Sequence, residues 1–222
     1  MNIFLTKLPE DRRQVWKLAE SIFPDGLVAR YKTRQDKDRE SSFLGWLMLA
    51  YVYKKELYKT GEKNRLIRLN WEELSAIAGH KKAGEGIFPY EIVRGENGKP
   101  GFANSDIHFN ISHSGNMVLL AVSSNEIGAD IQLVDDRPAE RLDKIAAKVF
   151  DTEIKNKIAN EKDPDRKRDI FYRNWTLREA VVKREGRSVF SIGRLDNTLA
   201  GSDIFQNLIE IDNEKYWITV VK

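Results

Sequence analysis

The pattern of apolar and polar residues predicts helices that alternate with strands along the chain. Residues 40–58 carry apolar side chains densely enough to predict a largely buried helix, with Ser41 or Ser42 near its start. Residues 70–78 are typical of a short helix, because Asn70 is a favoured N-cap and opens a capping-box pattern. Further helices are predicted over residues 140–150, Thr152–Asn160 and residues 169–185, the last preceded by a charged loop at 161–169 and ending at Gly186.

Two apolar segments in the middle of the chain predict β-strands. Residues 117–123 form a continuous apolar run, whereas residues 127–133 alternate apolar side chains with Asp130 and Gln132, as a half-buried strand does. Only a short polar break at residues 124–126 separates the two segments, so we expect them to pair as a hairpin. Two more strands are predicted over residues 208–212 and 216–221, joined by a polar turn.

Composition and charge narrow the class of protein. The 222 residues are 41% hydrophobic and 32% charged, and a net charge of +3 permits an anionic ligand without favouring nucleic acid. The absence of cysteine excludes disulfides, thiolate metal sites and a cysteine nucleophile. The first residues lack the pattern of a signal peptide, and the longest apolar stretch, residues 43–53, is too short to cross a bilayer. We therefore expect a cytoplasmic, soluble protein of one domain or two small lobes, without a membrane partner.

Side-chain direction brings candidate metal ligands together. Asp130 and Gln132 are two residues apart on a predicted strand and point to one face, and Thr176, Glu179 and Lys183 share one face of a predicted helix. Two carboxylates brought together repel each other unless a hard cation such as Mg²⁺ lies between them. Two simpler interpretations stay open, in which Asp130 is a surface acid and Glu179 forms an ordinary helix ion pair with Lys183.

The Ser112-His113-Ser114-Gly115 segment invites comparison with hydrolases. It lacks the G-x-S-x-G pattern of a nucleophile elbow, and adjacent residues of an extended segment point to opposite sides, so Ser112 and His113 cannot form a nucleophile–base pair. A hydroxyl, an imidazole and a glycine-flanked backbone suit phosphate binding better. A hydrogen-bonded structural histidine is the alternative. Upstream, Asn97-Gly98 and Pro100-Gly101 are turn signals around Lys99.

Several motifs, in this order, resemble those of the 4'-phosphopantetheinyl transferases, in particular the larger, two-lobed, surfactin-synthetase-activating branch. A basic segment and helix start at residues 30–45 also look like that family. The motifs are GKPGF at residues 98–102, FNISHSG at 109–115, IGADI at 127–131 and WTLREAVVKREG at 175–186.

The resemblance implies a fold and an activity. The expected α+β fold is a pseudo-dimer of two similar lobes, residues 1–122 and 123–222, with the active site in the cleft between them. Each lobe is expected to pack a small, mostly antiparallel sheet on a long helix. Such enzymes transfer 4'-phosphopantetheine from coenzyme A to a serine of an apo acyl, peptidyl or aryl carrier protein and release adenosine 3',5'-bisphosphate. Since one chain supplies both lobes, we expect a monomer.

The resemblance also implies a role for each matching residue. Asp130 and Glu179 match the carboxylates that bind Mg²⁺, or alternatively Mn²⁺, and Gln132 is a third, weaker ligand where this branch usually has glutamate. Lys183 matches the lysine that contacts the reacting phosphates, and Glu179 or Glu153 is the candidate base for the carrier serine. The residues expected to contact coenzyme A are Arg39, Lys99, Pro100, Ser112, His113, Arg178 and Lys183.

Departures from the family pattern leave an alternative function open. Gln132 would be a weaker magnesium ligand than glutamate, because an amide oxygen carries less negative charge than a carboxylate. In addition, Ser188 stands where a second glycine is common in the family. The lysines that the family pattern places before Arg30 to hold the coenzyme A 3'-phosphate are absent from residues 24–29, so Arg30, Lys32 or Arg34 would have to take their place. The alternative is a catalytically weak module that binds coenzyme A or a carrier protein.

Overall fold

Small sheets and helices of mixed order make up the molecule, which confirms the α+β class. The computed structural model describes residues 1–32, 36–59, 65–77, 88, 90–95, 97–187 and 199–222. The helices are Arg13–Ile22 (α1), Asp25–Lys32 (α2), Asp36–Lys54 (α3), Trp71–Ser75 (α4), Ala139–Val149 (α5), Thr152–Asn160 (α6) and Pro164–Glu185 (α7). The strands are Asn2–Lys7 (β1), Leu66–Arg68 (β2), Ile92–Arg94 (β3), Pro100–Phe102 (β4), His108–Ser114 (β5), Met117–Ser123 (β6), Gly128–Leu133 (β7), Ile204–Ile211 (β8) and Glu214–Val221 (β9).

A four-stranded sheet in the order β2-β1-β6-β5 is covered on both faces. From one face, Phe4 and Leu120 pack into a core with the apolar side chains of α1 and α3. From the other face, Leu5 and Leu119 pack with Ile131 and other side chains of β7 and β9. Because both faces are buried, β6 is a continuous apolar run rather than an alternating one.

A three-stranded antiparallel sheet in the order β7-β9-β8 packs against α7. On this side Thr176 of α7 and Thr219 of β9 are fully buried, and their hydroxyls are 2.8 Å apart. The backbones approach closely here, because a Cβ built on Gly128 would lie 1.9 Å from the carbonyl oxygen of Ala180. A glycine at the start of β7 therefore allows α7 to reach the sheet.

The predicted hairpin between residues 117–123 and 127–133 is wrong. Strand β6 pairs with β1 and β5, while β7 pairs with β9 in the other sheet. Polar side chains of β5, rather than backbone groups of β6, take up the free backbone N–H groups of β7. The short polar break therefore carries the chain from one sheet to the other.

Local sequence signals predicted the ends of some helices and strands correctly and the ends of others wrongly. Asn70 and Glu73 form the predicted capping box, and Gly186 ends α7 with φ of 64°. Both long helices begin earlier than predicted. Helix α7 is capped by Asp163, inside the segment that was predicted as a charged loop. Helix α3 begins at Asp36, so Ser41, predicted near its start, lies buried within the helix. Residues 100–101, predicted as a turn, belong to strand β4 of a hairpin whose turn lies at Asn97-Gly98.

Candidate functional site

A cavity of about 430 Å³ lies where β5, β7 and α7 meet. It collects residues that are distant in sequence but adjacent in space, because β7 contacts both β5 and α7. Six of the predicted site residues line it: Ser112, His113, Asp130, Gln132, Glu179 and Lys183.

Asp130 is the most tightly held of these residues. Its side chain is 0% exposed, which excludes the interpretation as a surface acid. Its Oδ1 accepts hydrogen bonds from the Ser112 hydroxyl at 2.8 Å and from Lys183 Nζ at 2.5 Å. Its Oδ2 accepts a bond from Gln132 Nε2 at 3.2 Å. A buried carboxylate needs such partners, since an unpaired one would be strongly disfavoured.

Alternate polar residues of β5 join the two sheets through a row of side-chain hydrogen bonds, which we call the polar seam (Asn110, Ser112 and Ser114). The side-chain amide oxygen of Asn110 (Oδ1) accepts the Ala129 N–H at 2.9 Å, and the Ser114 hydroxyl accepts the Leu133 N–H at 2.9 Å. The Ser112 hydroxyl lies between them and accepts the backbone N–H of residue 131 at 3.4 Å. The seam therefore places β7, and with it the carboxylate at 130, against β5.

Glu179 faces the cavity from α7 and is half-buried. Burial raises the pKa of its carboxyl group above the usual value, and the negative charge of Asp130 adds to the increase while Lys183 and Arg178 oppose it. Within the described part of the chain, the Glu179 carboxylate accepts no hydrogen bond. A carboxylate in this position is well suited to bind a cation or to accept a proton.

The donor set suits a hard cation. Asp130, Glu179 and Gln132 supply oxygen atoms on the wall of one cavity, and oxygen is what Mg²⁺ prefers. The Lys183 ammonium against Asp130 already places a positive charge there. In the ranges that the structure describes, no three histidine, aspartate or glutamate side chains form a metal cluster.

Gln132 is oriented by its neighbour. An amide oxygen facing the Asp130 carboxylate would repel it, so the nitrogen lies on that side and donates the 3.2 Å bond. The amide oxygen is left for another partner, but it carries less negative charge than the glutamate expected here. The side chain thus lines the cavity, as predicted, as a neutral group.

Two of the residues predicted to contact coenzyme A border a second cavity of about 710 Å³, between the β3–β4 hairpin and the end of α7. Lys99 Nζ bonds to the Glu126 carboxylate at 2.7 Å and to the carbonyl oxygens of Ile127 and Arg184 at 3.2 and 2.9 Å. Pro100 begins β4 beside it. In this structure Lys99 therefore ties the hairpin to the start of β7 and the end of α7.

Three predicted residues lie away from both cavities. Arg39 bonds to Glu40 at 2.8 Å and stacks on the ring of Trp16. Arg178 is buried on α7, and burial lowers its pKa against the opposing effect of nearby acids. The Glu153 side chain is 77% exposed and pairs with Lys157 on α6. Arg34 and Ser188, and the side chains of Arg30 and Lys32, lie outside what the structure describes.

Residues that the sequence did not single out also line the smaller cavity, among them Arg137 and Tyr172. The Tyr172 hydroxyl donates to Asp135 Oδ1 at 2.6 Å, and Arg137 Nη2 donates to Asp135 Oδ2 at 2.8 Å. The only sequence signal for this cluster was the concentration of charge at residues 135–137, directly after a half-buried strand.

Comparison with known proteins supports the resemblance found in the sequence. Residues 126–219 match the family model described as the 4'-phosphopantetheinyl transferase superfamily. This segment includes Asp130, Gln132, Glu179 and Lys183. The resemblance of the chain to that superfamily is therefore confirmed.

Individual relatives carry the same description. The 4'-phosphopantetheinyl transferase AcpT of Salmonella typhi is 37% identical over 128 residues, which cover 56% of this chain and 65% of that protein. The 4'-phosphopantetheinyl transferase Sfp of Bacillus subtilis is 40% identical over 96 residues, covering 42% of this chain and 40% of that protein. HetI of a Nostoc species, also a 4'-phosphopantetheinyl transferase, is 31% identical over 128 residues, covering 54% and 50%. The chain thus matches less than two thirds of the length of each of these relatives.

Among the described residues, no helix is both long enough and apolar enough to cross a bilayer.

Proposed function

We propose that this chain transfers 4'-phosphopantetheine from coenzyme A to a serine hydroxyl of an apo acyl, peptidyl or aryl carrier protein. One observation carries the proposal: Asp130, Glu179 and Lys183 meet at one cavity within the segment that matches the superfamily. Neither the residues alone nor the likeness alone would be sufficient, because isolated acid–lysine pairs are common on helices.

The reaction is a phosphoryl-group transfer in which positioning and charge stabilisation dominate. The serine oxygen forms a bond to the β-phosphorus of coenzyme A, and the bond from that phosphorus to the bridging oxygen breaks. Adenosine 3',5'-bisphosphate leaves with this oxygen, and the serine proton passes to a base. No oxidant or further reactant is needed.

The chain's own groups match these requirements. Lys183 presents an ammonium group at the cavity, where it can offset charge on the nonbridging phosphate oxygens. Glu179 is the favoured base because it lines the cavity together with Asp130 and Lys183. Glu153 is the second candidate, from an exposed position on α6.

Mg²⁺, or Mn²⁺ in its place, would be held by Asp130 and Glu179, with Gln132 as the weaker third ligand. Bound there, the metal would neutralise charge on the phosphate oxygens of coenzyme A. His113 and Ser112 border the same cavity, with His113 proposed to contact the nucleotide.

The architecture proposed for this function is a pseudo-dimer with lobes at residues 1–122 and 123–222. The packing of α3 on one sheet and of α7 on the other supports two related halves, with Trp46 and Trp175 on the corresponding helices. The contact between β5 and β7 lies beside the cavity and is the proposed cleft. Both halves come from one chain, so we propose a monomer that works in the cytoplasm.

Mass spectrometry of apo carrier proteins tests the activity. Apo fatty-acid and peptidyl carriers are incubated with coenzyme A and Mg²⁺, and a mass gain of one phosphopantetheine on either is expected. Asp130→Ala should abolish the gain, whereas the exposed Asp106→Ala should leave it unchanged. Glu153→Gln then tests the second candidate base, because Glu179→Gln would also remove a proposed metal ligand. Absence of any gain with folded wild-type protein would contradict the proposal.

The alternative is a catalytically weak module that binds coenzyme A or a carrier. It is favoured by one observation, the neutral amide at Gln132 beside the buried carboxylate of Asp130. In that case calorimetry would detect binding of coenzyme A, while the carrier mass would not change over a long incubation at high Mg²⁺ or Mn²⁺.

A further inference from the structure

The segment between β7 and α5 holds an arginine on the wall of the smaller cavity. The Arg137 side chain is 31% exposed, and it lines this cavity together with Asp130, Glu179 and Lys183. A guanidinium group is always charged and has five N–H donors in a planar fork. The side-chain contact with Asp135 is made by Nη2, so the other N–H donors of the guanidinium group can bind a ligand in the cavity.

A buried tyrosine fixes the carboxylate that holds this arginine. Tyr172 on α7 is 2% exposed, and its hydroxyl donates to Asp135 Oδ1 at 2.6 Å. Burial, strengthened by this hydrogen bond, raises the Tyr172 pKa far above the usual value, so the hydroxyl stays protonated and remains a donor. The Arg137 backbone N–H donates to the same Oδ1 at 3.0 Å, and Nη2 donates to Oδ2 at 2.8 Å.

The polypeptide on either side restricts the movement of Arg137. The N–H of Val134 donates to the carbonyl oxygen of Lys215 at 2.8 Å, which extends the attachment of β7 to β9. Pro138 follows directly and precedes the first turn of α5. A charged group held by a short, anchored connection loses little conformational entropy when a ligand binds.

We propose that Arg137 binds a pyrophosphate oxygen of coenzyme A, and that Asp135 and Tyr172 are the positioning residues that aim it. The inference rests on the proposed function, since it takes coenzyme A as the ligand. Pyrophosphate is favoured over the more distant nucleotide groups because Arg137 shares its cavity with the proposed phosphate-binding Lys183 and the proposed metal ligands. Planar guanidinium groups bind phosphate oxygens through paired, charge-assisted hydrogen bonds.

Calorimetry with coenzyme A, and with inorganic pyrophosphate as the smaller probe, tests the role in the presence of Mg²⁺. Loss of a charged hydrogen bond predicts that Arg137→Gln raises the Kd of both ligands about tenfold or more. Arg137→Lys should recover part of the affinity, and Tyr172→Phe should raise both Kd values about threefold, since it removes only the positioning bond. The matched control is Arg141→Gln, an exposed arginine on α5, which should stay within about twofold of wild type.

Steady-state kinetics test whether the role of Arg137 is purely structural. We expect Arg137→Gln to lower kcat/KM for coenzyme A at least about tenfold while KM for the carrier stays within about twofold. Unchanged affinity for both probes would overturn the inference, and so would an increase confined to the KM for the carrier. If Arg137→Gln does not fold, the Kd values of Arg137→Lys and Tyr172→Phe for the same two ligands test the inference instead. A wild-type protein that binds coenzyme A but transfers nothing would refute the proposed function alone, whereas wild-type transfer with unaffected variants would refute this inference alone.

Discussion

The hydroxyl of Ser112 donates a 2.8 Å hydrogen bond to Oδ1 of Asp130, at the point where the polar seam meets the smaller cavity. Lys183 Nζ donates to both partners, at 3.0 Å to the hydroxyl and at 2.5 Å to the carboxylate. With the N–H of residue 131 as a further donor, the hydroxyl uses its one proton and both lone pairs. Ser112 is buried, so the geometry favours a role in holding the carboxylate, although a contact with coenzyme A stays a prediction.

Replacement of Ser112 by alanine tests this relationship. We expect Ser112→Ala to lower the free energy of unfolding by about 1–3 kcal/mol, because buried donors lose their acceptor. Carrier modification should fall at least about tenfold, since the carboxylate and the ammonium lose a shared partner. Denaturant unfolding and the mass-spectrometric transfer assay measure the two effects.

Ser114 offers a matched control on the same strand. Its hydroxyl accepts the Leu133 N–H but is not bonded to the carboxylate at Asp130. Ser114→Ala should therefore lower stability by a similar amount and leave transfer within about twofold of wild type. Equal loss of transfer in both variants would show that the seam matters only for folding.

The approach of α7 to β7 predicts a sharp effect at Gly128. A Cβ there would lie 1.9 Å from the Ala180 carbonyl oxygen and 2.4 Å from the Arg184 backbone nitrogen, both of which are rigid helix backbone. We expect Gly128→Ala to destabilise the fold by about 3 kcal/mol or more. Gly26→Ala is the control, because a Cβ there meets nothing within 4 Å and α2 tolerates alanine. Similar unfolding midpoints for the two variants would contradict this close packing of α7 on β7.

Local chemistry explains what the sequence predicted well. The capping box at Asn70 and the left-handed glycine at Gly186 are decided by neighbouring residues, so their patterns are readable without the fold. The shared face of Asp130 and Gln132 follows from the period of a strand. These predictions are confirmed because each depends on only a few consecutive residues.

Long-range pairing explains the wrong prediction. Strand β6 pairs with β1, where Phe4 lies opposite Leu120, and nothing in residues 117–133 indicates this partner. An apolar run beside a short polar break favours a hairpin locally, but burial of both faces of β6 requires strands from elsewhere in the chain. The prediction failed because both edges of β6 are taken, one by β1 from the start of the chain and the other by β5, the strand that directly precedes it.

The candidate site could be predicted only in part, because some of its contacts also join residues that are distant in sequence. Asp130, Glu179 and Lys183 were found because strand and helix periods, together with the family motifs, indicated them. Tyr172 and Asp135 are 37 positions apart and meet only in the folded chain, so neither stood out. The contact between Tyr172 and Asp135 orients the carboxylate that binds Arg137, and the sequence alone did not predict this arrangement.

The Asp135 cluster predicts a specific pH dependence of stability. Burial alone would raise the pKa of Asp135, but hydrogen bonds from Tyr172 and Arg137 and the guanidinium charge outweigh it, so the pKa lies below its ordinary value of 3.8. The unfolded chain therefore binds the proton more readily, and the ionised group stabilises the fold above that value. This contribution is lost as pH falls through the folded pKa.

Comparison with Asp135→Asn isolates this contribution. The difference in unfolding free energy between wild type and variant should be largest near neutral pH and should shrink steadily below about pH 4. Urea unfolding at a series of pH values measures it, with Asp106→Asn at an exposed position as the control. A difference that grows on acidification would reverse the sign and contradict the hydrogen-bond assignment.

The amide at Gln132 predicts how the protein depends on divalent cations. Gln132→Glu replaces a donor to Asp130 with a second negative charge, so without metal we expect a loss of about 1 kcal/mol of stability from repulsion. Added Mg²⁺ should reverse this loss, because three carboxylates then share one cation. The Mg²⁺ concentration for half-maximal transfer should fall severalfold relative to wild type.

Thermal unfolding with EDTA and with increasing Mg²⁺ separates this effect from a general effect of charge. Gln14→Glu serves as the control, because Gln14 lies on α1 and bonds to Trp71, away from both cavities. Its stability should not respond to Mg²⁺ differently from that of wild type. Identical metal dependence of Gln132→Glu and wild type would mean that residue 132 does not contact the metal, and that a water supplies the third oxygen. In that case the two carboxylates of Asp130 and Glu179 alone would hold the cation.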